Sequence, residues 1–346
     1  MDPAVARIID ANFNRAREAL RVMEDYARFV LNESGLTEQI KQLRHDLSSV
    51  VGRLPTAELL AARDTNGDVG TAISSRSELR RDSAGQVVLA DSRRLAEALR
   101  SLAEYTKIVD QAVAVELEAM RYRGYELERR LALQAERPQR FARARLYVLI
   151  SESACSGPWL ATAEAAIDGG ADCLQLREKD LSDAELLRRA RALVELTRSR
   201  AVLCIINDRP DIARLAGADG VHLGQLDLPV AEARRIVGPD GLVGKSTHNL
   251  EQARAAIAER PDYIAVGPIF ASQTKPVRPL AGLQTLRAVL SCYRGPCVAV
   301  GGITGQNVGQ VVAAGGRCVA VCRAVVGAAD PRQAAMRLRA AMGQAG

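Results

Sequence analysis

The sequence predicts an all-α helical domain followed by a (β/α)8 barrel. Apolar residues follow a helical period up to about residue 143, and short strand-like apolar runs replace that period afterwards. Eight strand-then-helix units occupy about 200 residues after this change, which is the size of a (β/α)8 barrel. Polar clusters follow most of the strand-like runs, at the ends that a barrel gathers on one face.

The predicted helical domain spans residues 1–137. Helical spacing of apolar residues appears over 3–32, 36–60, 88–110 and 111–134. The segment 63–75 is the exception, because its run at 64–71 is rich in turn-forming residues. We expect a linker at 138–144 before the barrel domain, which spans 145–346.

The barrel domain contains eight predicted strands. They lie at 146–150, 173–176, 202–206, 220–223, 242–244, 263–266, 297–300 and 318–321, with helical segments such as 182–198 and 304–314 between or after them. A doubly wound parallel sheet is the rival architecture. The near-equal spacing of the units and the helical segment after the last strand favour closure into a barrel.

Composition narrows the class of ligand. The 346 residues are 48% hydrophobic and 25% charged, the balance of an ordinary globular protein. Only 3% are aromatic, which argues against a surface that stacks nucleic-acid bases. The net charge of +6 comes from Lys and Arg mixed with Asp and Glu, so it suits a phosphorylated small molecule at least as well as a polymer. We therefore expect small-molecule substrates and no nucleic-acid partner.

Targeting signals and cysteines bear on location. The first 20 residues contain no signal-peptide core, and no stretch is long and apolar enough to cross a membrane. The seven cysteines all lie in the second half, form no CxxC pair and sit mostly in apolar runs, as reduced core thiols do. We expect a cytoplasmic protein with no membrane partner, and the sequence is compatible with a homo-oligomer.

Two cations follow the second predicted strand. In an extended chain Gln175, Arg177 and Lys179 share one side. Two cations and an amide suit a pyrophosphate, which offers many acceptor oxygens. The alternative is a structural ion-pair cluster, since Glu178 and Asp180 are close enough in sequence to pair with the cations.

Two carboxylates, Asp208 and Asp227, follow the third and fourth strands. As a pair beside Asn207 and the cations, they predict a Mg²⁺ site that phosphate oxygens and water complete. Either aspartate alone would more often cap the helix that follows it.

Later strand ends add hydroxyl groups and glycines. Ser246 follows the fifth strand and either contacts a ligand or caps the next helix. Ser272, Thr274 and Lys275 follow the sixth, where they suit a second phosphorylated substrate and a closing loop, or form an ordinary solvated loop. The last two strand ends match the phosphate site common in these barrels, through Gly301, Gly302, Cys322 and Arg323.

The three histidines are not expected to be catalytic. His222 is interpreted as a core residue within a strand, His248 as exposed or peripheral at a helix start, and His45 lies in the helical domain. No Ser-His-Asp or Cys-His arrangement is visible in the sequence. Cations, a metal and two anion pockets indicate displacement of a phosphate-type leaving group, in which the protein supplies electrostatics and positioning.

Residues 145–342 resemble thiamine-phosphate synthases. The matching strings are QLREK at 175–179, IINDRPDIA at 205–213, GADGVHLGQLD at 217–227, GKSTH at 244–248, DYIAVGPIF at 262–270, TK at 274–275 and VAVGGI at 298–303. Their order and spacing cover essentially the whole barrel domain. The resemblance implies a transferase that joins 4-amino-2-methyl-5-hydroxymethylpyrimidine diphosphate to 4-methyl-5-(2-phosphoethyl)thiazole, giving thiamine phosphate and pyrophosphate.

The resemblance also implies residue roles. It places the pyrimidine diphosphate against Gln175, Arg177, Glu178, Lys179, Asn207, Ser246 and Lys275, of which Arg177, Lys179 and Lys275 are catalytic. It assigns Mg²⁺ to Asp208 and Asp227. It places the thiazole phosphate against Ser272, Thr274, Gly301, Gly302, Cys322 and Arg323.

Two positions depart from the family pattern. Ser272 stands where Thr is usual and keeps the hydroxyl, whereas Arg323 stands where Ser is usual and either pairs with the phosphate or points away. The implied reaction is dissociative. Mg²⁺ and the cations draw pyrophosphate from the pyrimidine methylene, the ring stabilises the carbocation, and the thiazole nitrogen attacks, which fits a site with no evident general base.

The first domain resembles the helical domain fused ahead of some thiamine-phosphate synthases. The strings are ANFNRAREALRVMEDYAR at 11–28, RDTNGDVGT at 63–71 and EALRSLAEYTK at 97–107, and they imply a hydroxymethylpyrimidine phosphate kinase. A helical face and a loop supply its polar residues, namely Asn14, Arg17, Arg21 and Glu24, then Arg63, Asp64, Asp68 and Gly70. They suit a phosphate and metal site or the solvated face of a docking bundle equally well. No G-x-x-x-x-G-K-[ST] string exists, which excludes an ordinary P-loop kinase.

Two alternatives to the synthase remain open at this point. A thiazole tautomerase on a similar barrel would not need the whole diphosphate and Mg²⁺ set, which is present here. A non-catalytic sensor of thiamine phosphates predicts a broken metal pair, whereas Asp208 and Asp227 are both intact.

Overall fold

The chain divides into two units, residues 1–136 and 137–346, and each has an apolar core of its own. The computed structural model describes residues 1–69, 81–271 and 279–343. The linker predicted at 138–144 begins inside a helix, because the helix Gln111–Ala142 continues through most of it.

The described part of the first unit is helical, as predicted. Its helices are α1 (Pro3–Asp25), α2 (Ser34–Val51), α3 (Thr56–Ala61), α4 (Ala84–Thr106) and α5 (Gln111–Ala142), with a π-helical turn at Tyr26–Leu31. The carboxylate of Asp2 caps α1 by accepting hydrogen bonds from the amides of Ala4 and Val5. Helices α1 and α4 pack lengthwise through apolar stripes that include Ile9 and Leu99.

The second unit confirms the predicted barrel, because eight parallel strands close on themselves in chain order. They are β1 (Leu146–Ile150), β2 (Cys173–Leu176), β3 (Leu203–Asn207), β4 (Gly220–Leu223), β5 (Leu242–Thr247), β6 (Tyr263–Val266), β7 (Cys297–Val300) and β8 (Cys318–Val321). The helices around them are α6 (Trp159–Asp168), α7 (Asp183–Arg198), α8 (Pro210–Ala216), α9 (Val230–Val237), α10 (Leu250–Ala258), α11 (Gly282–Cys292), α12 (Val308–Ala313), α13 (Arg323–Val326) and α14 (Pro331–Gly343). A 3-10 turn at Glu152–Ala154 follows β1.

Strand β5 is longer than predicted, ending at Thr247 rather than at residue 244. Residues two apart on a strand share a face, so Leu242, Gly244 and Ser246 all point into the barrel. Leu242 packs with Tyr147 and Tyr263 at the bottom of the interior, and Ser246 lies above them. The strand was predicted too short because the polar Ser246 occupies an inward position and interrupts the apolar run in the sequence.

The cysteines agree with most of what the sequence predicts for them. The seven thiols are free, and Cys173, Cys204 and Cys318 are buried, whereas Cys292 is exposed and does not fit the prediction of core positions. None of the helices within the described ranges combines the length and apolar character that crossing a bilayer demands.

Candidate active site

A cavity of about 710 Å³ opens at the carboxyl ends of the barrel strands. Each strand contributes lining residues from its last positions or from the turn that follows it. Eight residues singled out from the sequence meet in this lining: Gln175, Arg177, Asn207, Ser246, Gly301, Gly302, Cys322 and Arg323. Closure of the barrel brings them together, since parallel strands end on a common rim.

Seven other predicted site residues are not in the described lining, namely Glu178, Lys179, Asp208, Asp227, Ser272, Thr274 and Lys275. Ser272 and Thr274, with Lys275, lie outside the described residues. Lys179 and Asp208 form an ion pair beside the cavity, with Nζ 3.5 Å from Oδ2.

The guanidinium groups of Arg177 and Arg323 lie on one side of the cavity, where both act on the Cys322 thiol. Burial raises the pKa of Cys322, and the two arginines oppose that rise by favouring the thiolate. Within the described ranges, neither guanidinium has a hydrogen-bond or ion-pair partner. Two cations without a counter-charge at the mouth of a cavity make an anion pocket.

The carboxylates of Asp208 and Asp227 lie against each other. Burial raises the pKa of Asp208, the neighbouring Asp227 raises it further, and Lys179 opposes the rise. Oδ2 of Asp227 accepts a hydrogen bond from the backbone amide of Gly224, which holds that carboxylate in place. Within the described residues no group of three His, Cys, Asp or Glu side chains is placed to hold a metal, so this site offers a pair only.

Asp208 adopts a left-handed backbone conformation, with φ of 62°. Its amide nevertheless donates to the carbonyl of His222 at 2.8 Å, a bond that belongs to the pairing of Asn207 with His222 between β3 and β4. A side chain in this region costs about 1 kcal/mol, and Asp tolerates it better than most residues. The turn therefore accepts local strain while it directs a carboxylate towards Asp227.

Glu178 does not fit the predicted contact with substrate. Its Oε1 accepts a hydrogen bond from the amide of Glu152 at 2.7 Å and lies 3.4 Å from Nη1 of Arg189. Arg189 comes from α7, is 8% exposed, and also binds Glu152 and Glu185. Because these partners hold it away from the lining, Glu178 instead ties the turn after β1 to the end of β2.

Glycines at the ends of β6 and β7 allow their backbones to press together. Gly301 and Gly302 have φ of 100° and 65°, and a side chain on Gly302 would come within 2.4 Å of the Ala271 carbonyl. A side chain on Gly267 would come within 2.2 Å of the Val300 carbonyl. Only glycine fits these positions, so the backbone of 301–302 borders the cavity directly.

A chain of hydrogen bonds crosses the barrel interior beneath the cavity. Nε2 of Gln175 donates to the Tyr147 hydroxyl at 2.7 Å, and that hydroxyl lies 3.1 Å from the hydroxyl of Tyr263. The Tyr263 hydroxyl is 3.1 Å from Nδ1 of His222, whose Nε2 is 2.8 Å from Oγ of Ser246. Five of the eight strands each contribute one side chain to this polar network, in an interior that is otherwise apolar.

Two histidines belong to the site although the sequence interpretation set them aside. His222 is only 8% exposed, as expected of a core residue, yet it lines the cavity. His248 was expected to be exposed or peripheral, and this was wrong: it is half-buried in the lining, with Nδ1 2.6 Å from the Gly267 carbonyl. A prediction of β5 at its full length would have placed His222 and Ser246 on inward positions of adjacent strands. That placement indicates a contact between the two side chains.

Polar residues of the first unit form internal ion pairs. Arg63 binds Asp10 through both Nε and Nη2, at 2.8 and 2.7 Å, and Nδ2 of Asn14 donates to the same aspartate. Glu24 is 5% exposed and accepts from Arg44 at 3.0 Å, while Arg21 lies 3.3 Å from Asp25. Arg17 stacks on the ring of Phe13, and Arg7 donates to the Asp64 carbonyl. Gly70 lies outside the described residues.

Comparisons with known proteins agree for both units. The family model described as "Thiamine monophosphate synthase" matches residues 146–325, and the ThiD2 family model matches 7–130. The thiamine-phosphate synthase of Synechocystis sp. is 43% identical over 97% of this chain and 95% of that protein. That of Rhodopirellula baltica is 41% identical over 97% and 92%. The thiamine phosphate pyrophosphorylase structure from Pyrococcus furiosus is 32% identical, with a TM-score of 0.55 over 60% of this chain and 98% of that chain.

Proposed function

Because the chain belongs to the thiamine-phosphate synthase family, a family of transferases of thiamine biosynthesis, we propose how its barrel cavity performs that reaction. The substrates are the hydroxymethylpyrimidine diphosphate and the thiazole phosphate, and the products are thiamine phosphate and pyrophosphate. The observation that supports this assignment most is the pair of guanidinium groups, Arg177 and Arg323, that line the cavity without a partner in the described structure. The carboxylate pair of Asp208 and Asp227 begins next to the lining residue Asn207.

Each anion has its own set of partners in this proposal. Arg177 and Lys179 hold the diphosphate, with Lys275 as a third cation by position in the sequence. The backbone of Gly301 and Gly302, the Cys322 turn and the Arg323 guanidinium receive the phosphate of the thiazole. Arg323 lies in the lining and has no partner in the described structure, so of its two predicted fates we favour pairing with phosphate.

The carboxylate pair fits Mg²⁺. In the protein alone Asp227 raises the pKa of Asp208, so the two negative charges oppose each other until a cation joins them. Mg²⁺ is commonly held by one or two carboxylates and completed by substrate phosphate oxygens and water, which matches a site of two. When bound there, it would neutralise charge on the diphosphate.

The protein's own residues supply positioning and charge. Arg177 and Lys179 stabilise negative charge as it grows on the departing pyrophosphate, because both cations stand at the end of β2, where the diphosphate binds. The apolar lining, which includes Leu149 and Val298, excludes water around the pyrimidine methylene. The thiazole nitrogen is already a nucleophile, so the site needs no base to activate it, and bond breaking leads bond formation.

Mixing the purified protein with both substrates and Mg²⁺ and measuring thiamine phosphate tests the assignment. Asp208→Ala should lose most of the activity at ordinary Mg²⁺, since one carboxylate of the pair is gone. Near-normal turnover in that variant would remove Asp208 from the metal site. Binding without turnover in the wild type would favour a sensor, and conversion of a thiazole isomer alone would favour a tautomerase.

For the first unit we propose phosphorylation of hydroxymethylpyrimidine phosphate, which makes the diphosphate that the barrel consumes. The ThiD2 match and the polar cluster of Asp10, Asn14 and Arg63 support it. Supplying the full chain with pyrimidine monophosphate, ATP and thiazole phosphate should yield thiamine phosphate. Asp10→Asn should abolish that yield while it leaves synthesis from the ready-made diphosphate intact. Equal yields from both routes in the variant would contradict the proposal.

A further inference from the structure

We propose that His222 is a positioning residue that makes the Ser246 hydroxyl a hydrogen-bond donor to a ring nitrogen of the pyrimidine. This inference rests on the proposed function, because it deepens how the same cavity reads one substrate. It starts from the hydrogen-bond chain beneath the cavity, which runs from Gln175 through Tyr147, Tyr263 and His222 to Ser246.

The direction of the chain follows from its first member. The Gln175 amide nitrogen can only donate, so the Tyr147 oxygen accepts this hydrogen bond. The Tyr147 hydroxyl then donates its own hydrogen bond to the Tyr263 oxygen. Burial raises the pKa of both tyrosines well above the usual value, so both keep their protons. The Tyr263 hydrogen then points to Nδ1 of His222. A neutral histidine that accepts at Nδ1 carries its proton on Nε2, which donates to Ser246 Oγ.

The opposite tautomer would disrupt the network. With its proton on Nδ1, His222 would donate to Tyr263, and Tyr263 would turn its hydrogen back to Tyr147. Tyr147 would then receive two donors, and its own hydrogen would be left with the sulfur of Cys173, a weak acceptor. Buried polar groups are rarely left unsatisfied, so the first direction prevails.

Packing holds the members in place. The ring of Phe141 stacks on that of Tyr263 with centroids 3.7 Å apart and planes 2° from parallel. A side chain on Gly244 would come within 2.1 Å of the Tyr263 ring, so glycine at this position lets the ring reach across. Tyr147 and Tyr263 are 2% and 0% exposed. The chain is therefore a rigid element built below the cavity.

The consequence lies at the two ends of the chain, which both line the cavity. Ser246 accepts from His222, so its own hydrogen remains for an acceptor on the ligand. Gln175 uses one of its two amide hydrogens for Tyr147, so its oxygen and its second hydrogen remain for the ligand. An aminopyrimidine offers an amino donor and ring-nitrogen acceptors on its edges, which complements this pair. The diphosphate oxygens face the cations Arg177 and Lys179 instead.

Two substitutions at His222 separate positioning from packing. His222→Gln places an amide N–H near the position of Nε2 and should keep the donor to Ser246. His222→Asn places its amide near Nδ1 and should keep the contact with Tyr263 but lose the one with Ser246. Calorimetry with the pyrimidine diphosphate and Mg²⁺ should give about tenfold weaker binding for His222→Asn and less than about threefold weakening for His222→Gln.

Steady-state kinetics add a second measurement. His222→Asn should raise the KM for the pyrimidine diphosphate, leave that for the thiazole phosphate unchanged, and not lower kcat. The contact is to the ring rather than to the departing group, and a donor on a ring nitrogen withdraws electrons that a carbocation needs. Equal weakening in the Asn and Gln variants, or a fall in kcat alone, would overturn the role of His222.

Substrate analogues identify the acceptor. Replacing N1 or N3 of the pyrimidine by CH should weaken binding to the wild type for one of the two analogues, and that analogue should bind His222→Asn and wild type equally. If both analogues still distinguish the two proteins, Ser246 donates elsewhere and the inference fails. If the wild type binds the diphosphate without turnover, the proposed function fails but the binding comparison still tests the role of His222. If the wild type does not bind the diphosphate, both the proposed function and this inference fail.

Discussion

The two ends of the barrel treat charge in opposite ways. At the amino end an aspartate precedes each of β2, β4 and β6, namely Asp172, Asp219 and Asp262. Each carboxylate accepts a backbone N–H from a neighbouring strand and pairs with at least one arginine. At the carboxyl end Arg177 and Arg323 have no partner within the described ranges, and Asp208 lies beside a second carboxylate.

Charged residues at the amino end have partners within the protein and stabilise the fold. At the carboxyl end Arg177 and Arg323 lack such partners in the part of the chain that the structure describes and are available to a ligand. A buried carboxylate with backbone and arginine partners fixes the register of adjacent strands. A cation without a partner, or two carboxylates together, adds nothing to the stability of the chain alone and becomes favourable when a ligand of opposite charge arrives. Substitutions at the two ends should therefore affect different measurements.

The largest expected effect on stability is at the amino end. Asp262 is 4% exposed and pairs with Arg137 at 2.7 Å and Arg234 at 3.0 Å. Asp262→Ala should lower the free energy of unfolding by about 3–5 kcal/mol, because it strands two largely buried guanidinium groups. Urea denaturation measures this. Asp172→Ala, in a more exposed pair, is the control and should cost less, and a loss below about 1 kcal/mol in Asp262→Ala would contradict the comparison.

The next effect is on activity at the carboxyl end. Arg177→Ala should lower kcat/KM by about 100-fold or more, because a cation of the cavity lining that faces the departing group is lost. The free energy of unfolding should change by less than about 0.5 kcal/mol, since no partner in the described structure loses a contact. Arg188→Ala, on the exposed side of α7, is the matched control and should leave both quantities near wild type. Unfolding of the Arg177 variant would show that the cation is structural.

The smallest expected effect is on the stability of an Asp208 variant, and it depends on whether Mg²⁺ is present. Asp208→Asn should stabilise the metal-free chain by about 0.5–1 kcal/mol, because the amide is neutral beside Asp227 and tolerates the left-handed backbone. The pKa of Asp208 is raised in the folded chain, so the wild type loses stability as pH rises through that value and the advantage of the variant grows towards neutral pH. Mg²⁺ should raise the melting temperature of the wild type more than that of the variant.

A nearby aspartate supplies the opposite control. Arg209 lowers the pKa of Asp211, so Asp211 stabilises the fold above its unfolded pKa and loses that contribution as pH falls. Asp211→Asn should therefore destabilise the chain at neutral pH. The same direction of change for both variants would mean that Asp208 is an ordinary surface carboxylate.

Much of the fold could be predicted because it depends on local pattern. Seven of the eight strands lie within a residue of their predicted bounds, since apolar residues and turn formers mark them. The exception, β5, was cut short at Gly244 because Lys245 and Ser246 interrupt the apolar run. The positions of Arg177, Asn207 and Gly302 at strand ends followed from the same pattern, and the proposed roles of these residues stay predictions.

Two adjacent residues, Arg177 and Glu178, show what the sequence pattern does not predict. Arg177 and Glu178 follow the same strand, yet the arginine lines the cavity and the glutamate binds Arg189 and the amide of Glu152. The sequence alone determined which residues arrive at the ends of the strands, because that depends on a period of two along the chain. Only the tertiary structure decided which of them meet a partner and which stay open, including His222 with Ser246, because charges and hydrogen bonds act through space between residues far apart in sequence.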